Sequence, residues 1–316
     1  MNLRLINSDR KHKTMQKQFS GIVVPMITPL IINFTVDIES IERIMKLFNR
    51  NGIHPLVLGT TGESSSISEA ESYRLVEATV KVKGEKQCVY AGLVGNQVEE
   101  LIRRGNRYLE LGADCIVATL PSYYILTPNQ MINFYTTLAD KIQGPLMMYN
   151  IKATTQMSIP NEVVDKLSKH PNIWGLKDSE RDPERMKYFI DNYKKREDFS
   201  YFCGWGAQSA GSLELGADGI VPSTGNIVPE LYGKLYHAAL TENWEECQEW
   251  QELTDSIAVV YQKGRTLGES LAALKVLMNF KGICNATMMP PLTELPETEV
   301  SLIKNQYSEI VRKTGC

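Results

Sequence analysis

The sequence LGAD occurs at residues 111–114, directly before the apolar run CIV at 115–117, and again at residues 215–218, directly before GIV at 219–221. In both copies a glycine stands where a helix can end in the left-handed conformation before the chain turns into a strand. Asn51 and Gly52 occupy a similar position before an earlier apolar run. A recurring helix-to-strand joint predicts a fold built from repeated strand–helix units.

From about residue 20 onward, short apolar runs alternate with longer amphipathic segments. The short runs predict strands at 21–27, 54–59, 87–92, 114–119, 145–150, 172–177, 199–203 and 218–222. The segments between them predict helices at 37–50, 68–83, 96–111, 128–142, 160–168, 182–194 and 206–215. An open doubly wound sheet rarely extends to this many regular units, so the pattern favours a closed barrel.

The predicted fold class is α/β, a TIM (β/α)8 barrel with a C-terminal helical extension. Strand signals stop after residue 225, and helical patterns follow at 229–241, 244–262, 268–280 and 297–313. We therefore assign the barrel to residues 19–240 and a helical region to residues 241–316. Residues 1–18 are rich in lysine and arginine and lack a signal-peptide apolar core, which predicts a flexible leader.

Composition restricts the class of partner. The net charge of −3, without a basic stripe, predicts no nucleic-acid binding. The hydrophobic fraction is 43%, and no apolar stretch approaches the roughly 20 residues of a membrane span, so we predict no membrane insertion. The six cysteines form no CxxC pair, which predicts free thiols and a cytoplasmic location. The four histidines lack metal-ligand spacing, so no metal is predicted.

Lys177 is the most unusual residue of the barrel segment, because it ends the apolar run 172–177. A lysine amine held against apolar walls loses solvation of its charged form, which favours a neutral, nucleophilic amine. By itself, a lysine at the end of a strand is more often structural, with its amine reaching water. The neighbouring polar features decide between these two interpretations.

Catalytic groups of a βα barrel lie at the carboxyl ends of its strands. Besides Lys177, this rule selects Tyr149, the turn GTTGE at 59–63 and the tyrosine pair that begins at Tyr123. Each feature also has a structural interpretation: a buried tyrosine, a tight turn with threonine caps, and an aromatic subunit contact. Their occurrence on one rim favours a site in which Lys177 forms an imine and Tyr149 transfers protons.

A second glycine element, Gly204-Trp205-Gly206 with Gly211, follows the seventh predicted strand. It is similar to a dinucleotide-binding fingerprint, but its third glycine is misplaced. A nicotinamide enzyme is therefore a weaker alternative. The sequence also lacks a GxSxG elbow and a Walker-type loop.

Several motifs occur in a specific order along the chain: GIVVPMITP at 21–29, GTTGES at 59–64, PSYY at 121–124, Tyr149-Asn150, and GLKD at 175–178. With these motifs the chain resembles the dihydrodipicolinate synthase / N-acetylneuraminate lyase family from residue 20 to its end. The resemblance implies a class I aldolase on a TIM barrel with C-terminal helices, assembled as a homotetramer or dimer.

The resemblance also implies roles for individual residues. Lys177 would form the Schiff base with pyruvate or another 2-oxo acid, so that no cofactor is needed beyond this covalent imine. Tyr149 would transfer protons, and Thr60 would link it to Tyr123 of a neighbouring subunit. The residues implied in substrate binding are Thr61 and Gly59 in the turn, Val221 at the end of strand eight, Thr154 and Gly204.

The chain departs from the family where the second substrate, an aldehyde, would bind. Lys152 stands where the family usually has proline, and Thr154 stands where dihydrodipicolinate synthases carry a carboxylate-binding arginine. The segment at 204–206 lacks the acidic residues of sialic acid lyases. Arg265 is a candidate for the missing cation, although a surface position is the simpler interpretation.

We therefore predict a Schiff-base aldolase or lyase, with a 2-keto-3-deoxy sugar acid as one possible substrate. The alternatives are 4-hydroxy-tetrahydrodipicolinate synthase, N-acetylneuraminate lyase and a non-catalytic 2-oxo acid sensor.

Overall fold

A computed structural model describes residues 17–315 of the chain. The predicted leader lies outside these residues except for its last two positions. Within the described residues, eight strands form the sheet: β1 Gly21–Pro25, β2 Ile53–Val57, β3 Tyr90–Leu93, β4 Cys115–Thr119, β5 Leu146–Asn150, β6 Ile173–Asp178, β7 Ser200–Cys203 and β8 Gly219–Ile220.

The strands are parallel and close into a barrel in sequence order, β1 to β8. Closure is made by β1 and β8, where Ile22 is in register with Ile220. Each strand overlaps one of the eight predicted runs, so the prediction of a TIM barrel rather than an open sheet is confirmed. On β5 and β6, Tyr149 is in register with Lys177.

Helices cover the outside of the barrel and form the C-terminal region. Residues 17–315 contain α1 Ile38–Arg50, α2 Glu69–Lys81, α3 Val98–Glu110, α4 Pro128–Lys141, α5 Lys152–Thr155, α6 Asn161–Leu167, α7 Pro183–Tyr193, α8 Ser209–Leu215, α9 Pro229–Leu240, α10 Trp244–Gln262, α11 Leu267–Phe280 and α12 Glu297–Thr314. The sequence did not predict the four-residue helix α5. None of the helices in residues 17–315 is long and apolar enough to cross a membrane.

The two LGAD segments make the same joint. Gly112 and Gly216 have φ values of 98° and 101°, in the left-handed region where a side chain is unfavourable. After each glycine an aspartate pairs with the preceding strand. Asp114 accepts the backbone N–H of Val89 at 2.7 Å, and Asp218 accepts that of Tyr201 at 2.8 Å. Each aspartate therefore positions the start of the following strand relative to the strand before it.

A lysine neutralises each of these aspartates. Lys83 pairs with Asp114, and Lys17 pairs with Asp218, each at 2.8 Å. Lys17 also donates to the carbonyls of Tyr193 at 2.9 Å and Phe199 at 2.8 Å. The last part of the predicted leader is thus attached to the amino-terminal end of the barrel.

Alternate strand residues face opposite sides of the barrel wall. The inward residues form their own buried cluster, which includes Val23, Leu56, Val117, Met147 and Phe202. Tyr149 belongs to this cluster and Lys177 is its register partner, so the fold directs both side chains toward the barrel axis.

Candidate active site

Lys177 lies at the carboxyl-terminal end of the barrel, and only 3% of its surface is exposed. Its Nζ lies 3.7 Å from the centroid of the Tyr149 ring. Both residues line a pocket of about 950 Å³ that opens at this end. A buried primary amine at the base of an accessible pocket is the arrangement that imine formation with a carbonyl compound requires.

Tyr149 is held between Lys177 and the turn that follows β2. Its hydroxyl lies 3.4 Å from Oγ1 of Thr60. Burial acts to raise the pKa of Tyr149, but the charge of Lys177 and hydrogen bonds with Thr60, Lys177 and Ser179 outweigh it, so the pKa lies below its ordinary value of 10.0. The phenol is therefore a stronger acid than a tyrosine in water, as a proton-transfer group should be.

The GTTGE turn brings Thr60 and Thr61 to the same pocket. Its backbone is wound tightly, because the N–H of Gly62 donates to the carbonyl of Gly59 at 3.0 Å and that of Glu63 to Thr60 at 3.1 Å. A side chain at Gly62 would be crowded by backbone, since its Cβ would lie 3.0 Å from the carbonyl oxygen of Met26 and 3.2 Å from the nitrogen of Leu58. The turn therefore presents two threonine hydroxyls on a rigid backbone.

Two further predicted residues line the Lys177 pocket. Val221 follows β8, and its N–H donates to the carbonyl of Cys203 at 2.7 Å. Gly204 follows β7, where a Cβ would lie 2.2 Å from Oγ of Ser179. The close approach of the β6 and β7 loops thus explains the glycine at 204. A dinucleotide-binding role is not needed to explain it.

The structure does not bring every predicted residue to Lys177. Thr154 lines a neighbouring pocket of about 520 Å³, whereas Lys152 and Ala153 line the Lys177 pocket. Tyr123 is 76% exposed and packs against Tyr124 with a centroid distance of 4.9 Å. Its contact with a neighbouring subunit stays a prediction.

Arg265 reaches the wall of the Lys177 pocket, but its guanidinium is directed elsewhere. It donates to the carbonyl of Val260 at 3.0 Å and to Oε2 of Glu299 at 2.7 Å. These contacts hold Arg265, which lies just before α11, against α10 and α12. Its side chain is only 12% exposed, so the expected surface position is wrong, although the role is structural.

A model of the dihydrodipicolinate synthetase family matches residues 18–310. The chain belongs to this family. The 4-hydroxy-tetrahydrodipicolinate synthase of Phenylobacterium zucineum is 29% identical over 280 residues, which are 88% of this chain and 93% of that protein. The prediction of a lyase of this family is thereby confirmed.

Solved structures of family members share the fold. The dihydrodipicolinate synthase of Bacteroides thetaiotaomicron is similar with a TM-score of 0.87 and 28% identity, covering 93% of this chain and 100% of that chain. The enzyme of Acinetobacter baumannii, solved in complex with pyruvate, has a TM-score of 0.83 and 24% identity, covering 92% and 98% of the two chains.

Beside the expected family residues lies a polar network that the sequence did not predict. Asp178 accepts from Nδ2 of Asn150 at 2.8 Å and from Nε of Arg185 at 2.7 Å. Glu180 accepts from Nδ2 of the same asparagine at 2.9 Å and also bonds the hydroxyl of Ser158. The network ties the ends of β5 and β6 together directly behind Lys177 and Tyr149.

The two carboxylates of this network have opposite pKa shifts. Burial raises the pKa of Asp178, against the opposing effects of Arg185 and Asn150. Burial also acts to raise the pKa of Glu180, but hydrogen bonds from Ser158 and Asn150 and the charges of Arg185 and Lys152 lower it overall. Glu180 lines the pocket and is therefore a fixed negative charge there. The sequence LKDSE at 176–180, with two acids directly after the lysine, is the signal from which this network could have been predicted.

Proposed function

We propose that the protein is a Schiff-base lyase that acts on pyruvate or another 2-oxo acid through Lys177. The observation that carries the proposal is the buried Lys177 amine, 3.7 Å from the Tyr149 ring centroid in a large accessible pocket. The pyruvate complex of the Acinetobacter relative supports pyruvate as the first ligand to test.

The reaction begins when the neutral Lys177 amine adds to the ketone carbon of the 2-oxo acid. The resulting carbinolamine loses water, with the Tyr149 hydroxyl supplying a proton to the departing oxygen. The protonated imine withdraws electrons from C3. The Tyr149 phenolate left by the previous step then takes the proton of the C4 hydroxyl, so that the C3–C4 bond breaks with release of an aldehyde and formation of an enamine. Protonation of the enamine at C3 and hydrolysis of the imine then release pyruvate and the free amine.

Thr60 and Thr61 bind the carboxylate of the 2-oxo acid in this proposal. Hydroxyl groups donate hydrogen bonds to a carboxylate without adding a competing charge. The contact between Thr60 and Tyr149 also couples carboxylate binding to the proton-transfer group, since one hydroxyl serves both.

The aldehyde half of the site is polar and carries charges of both signs. Lys152, Glu180 and Arg181 line the pocket, and Lys152 lies 3.8 Å from the Glu180 carboxylate. A carboxylate accepts hydrogen bonds from sugar hydroxyls, and an exposed cation attracts an acid group. A 2-keto-3-deoxy sugar acid matches this set of groups.

The reaction is tested by a cleavage screen of 2-keto-3-deoxy sugar acids with pyruvate release as the readout. At least one compound should release pyruvate, and incubation with pyruvate and borohydride should leave a carboxyethyl group on the protein. Trapping without turnover of any 2-oxo acid would instead support a sensor. Absence of both trapping and cleavage would contradict the proposal.

Condensation of pyruvate with aspartate semialdehyde is expected to be slow. A dihydrodipicolinate synthase needs a bidentate cation for the second carboxylate, and Thr154 lines a different pocket and offers only one neutral hydroxyl. We expect kcat/KM for this aldehyde to be about 100-fold below that of the best sugar-acid substrate. A steady-state assay of both reactions on one preparation checks this. Equal or faster condensation would identify the protein as a synthase of this type.

A further inference from the structure

The last residue of the GTTGE turn makes a buried ion pair with the C-terminal helical region. The side chains of Glu63 and Lys275 are 0% and 1% exposed, and their charged groups are in direct contact. Lys275 belongs to α11 and also donates to the carbonyl of Thr287 at 2.7 Å. The second carboxylate oxygen of Glu63 accepts the N–H of Met289 at 2.7 Å.

The GTTGE turn itself has a strained backbone. Leu58 and Glu63 stand at its two ends with φ values of 55° and 56°, in the left-handed region that non-glycine residues avoid. Such conformations persist only where the surroundings hold them. On the barrel side, Thr28 donates from Oγ1 to the carbonyl of Gly62 at 2.6 Å. On the opposite side, the contacts of Glu63 with α11 and the segment at 287–289 supply the restraint.

A fully buried ion pair is a poor source of stability, because removing two charges from water costs about as much as their attraction returns. What such a pair supplies is a defined geometry, since each partner left alone would be strongly unfavourable. Here the ion pair fixes the position of Glu63, which directly follows Gly62 and stands two residues after Thr61. The pair therefore acts on the part of the turn that presents its hydroxyls to the pocket.

We infer that Glu63 and Lys275 are positioning residues for the carboxylate of the 2-oxo acid. This inference rests on the proposed function, because Thr60 and Thr61 are the groups being positioned. Through Lys275, the C-terminal helix α11 would then help to hold the turn that carries Thr60 and Thr61. Neither charged group lines the pocket with Lys177, so their removal should weaken substrate binding more than imine chemistry.

The test is the pyruvate dependence of borohydride trapping in the double variant Glu63→Gln/Lys275→Met. Removing both charges avoids leaving one buried charge without a partner. The half-saturating pyruvate concentration is expected to rise about tenfold or more, because a small displacement of the binding groups weakens binding strongly. The maximal trapping rate should change less than about threefold. The single variant Glu63→Gln, which keeps an acceptor for the Met289 N–H, should shift in the same direction.

The matched control is Lys17→Met/Asp218→Asn, which removes another largely buried ion pair at the opposite end of the barrel. It should leave the half-saturating concentration unchanged. It should lower thermal stability, because the hydrogen bonds from Lys17 to the carbonyls of Tyr193 and Phe199 are lost with the pair. An unchanged half-saturation in both Glu63 variants, with the unmodified protein trapped normally, would overturn the inference alone. An unmodified protein that pyruvate does not modify would overturn the proposed function and this inference together.

Discussion

Replacing Lys177 with arginine should abolish both trapping by pyruvate and lyase turnover. The guanidinium stays protonated at every accessible pH and has no free electron pair with which to attack a carbonyl carbon. The guanidinium would place a permanent positive charge near the Tyr149 ring, so the variant tests whether a cation at this position suffices without a nucleophile. We expect kcat for the best substrate to fall on the order of 10⁴-fold or more, as for loss of other covalent nucleophiles.

Lys83→Arg is a suitable control for this variant. Lys83 is a partly buried lysine that pairs with Asp114 at 2.8 Å, in the joint before β4 and away from the pocket. Its replacement should leave turnover within about twofold, because arginine can make the same ion pair. Turnover by Lys177→Arg within tenfold of the unmodified protein would show that another group carries the reaction.

The second large effect is expected for Tyr149→Phe. The variant keeps the aromatic ring beside Lys177 and removes only the hydroxyl, which contacts Thr60 at 3.4 Å. Loss of a positioned proton-transfer group typically costs about 10²- to 10⁴-fold in rate. We expect kcat to fall in this range, with a smaller change in the pyruvate concentration that half-saturates trapping. Single-turnover trapping and steady-state cleavage measure the two quantities separately.

The pH dependence provides an independent test of the same residue. Because the pKa of Tyr149 lies below 10.0, the plot of kcat against pH should have an inflection below pH 10.0. The rate should fall as the pH rises through it, because the phenol then loses the proton that it donates. The inflection should be missing in Tyr149→Phe and present in Tyr135→Phe, whose hydroxyl instead donates to the carbonyl of Ala118. An identical profile in the Tyr149 variant would exclude its role as the proton-transfer group.

The barrel was predictable because its signals are local. Each LGAD joint needs a left-handed glycine, and most of the strands are short apolar runs, so both appear in short stretches of sequence. The helix α5 was missed because four residues are too few to show a helical period. The predicted helix at 206–215 is divided into a short 3-10 turn at Gly206–Gln208 and α8 at Ser209–Leu215.

The candidate site was predictable only in part. Lys177 and Tyr149 follow from one rule about strand ends, and their pairing follows from neighbouring positions in the sheet. The apolar run LAALKVLM at 271–278 marks Lys275 as unusual, but its partnership with Glu63 joins distant segments and is not visible in the local sequence. The position of Thr154 depends on the path of the α5 turn, which the sequence did not predict.

The most direct test of the central claim is peptide mapping after treatment with pyruvate and borohydride. Reduction of the imine would fix a carboxyethyl group on the reacting nitrogen, and fragmentation by mass spectrometry locates it. We predict a single modified site, at Lys177, that is absent in Lys177→Arg. Modification spread over surface lysines, or a single adduct on another lysine, would contradict the assignment of Lys177 as the Schiff-base residue.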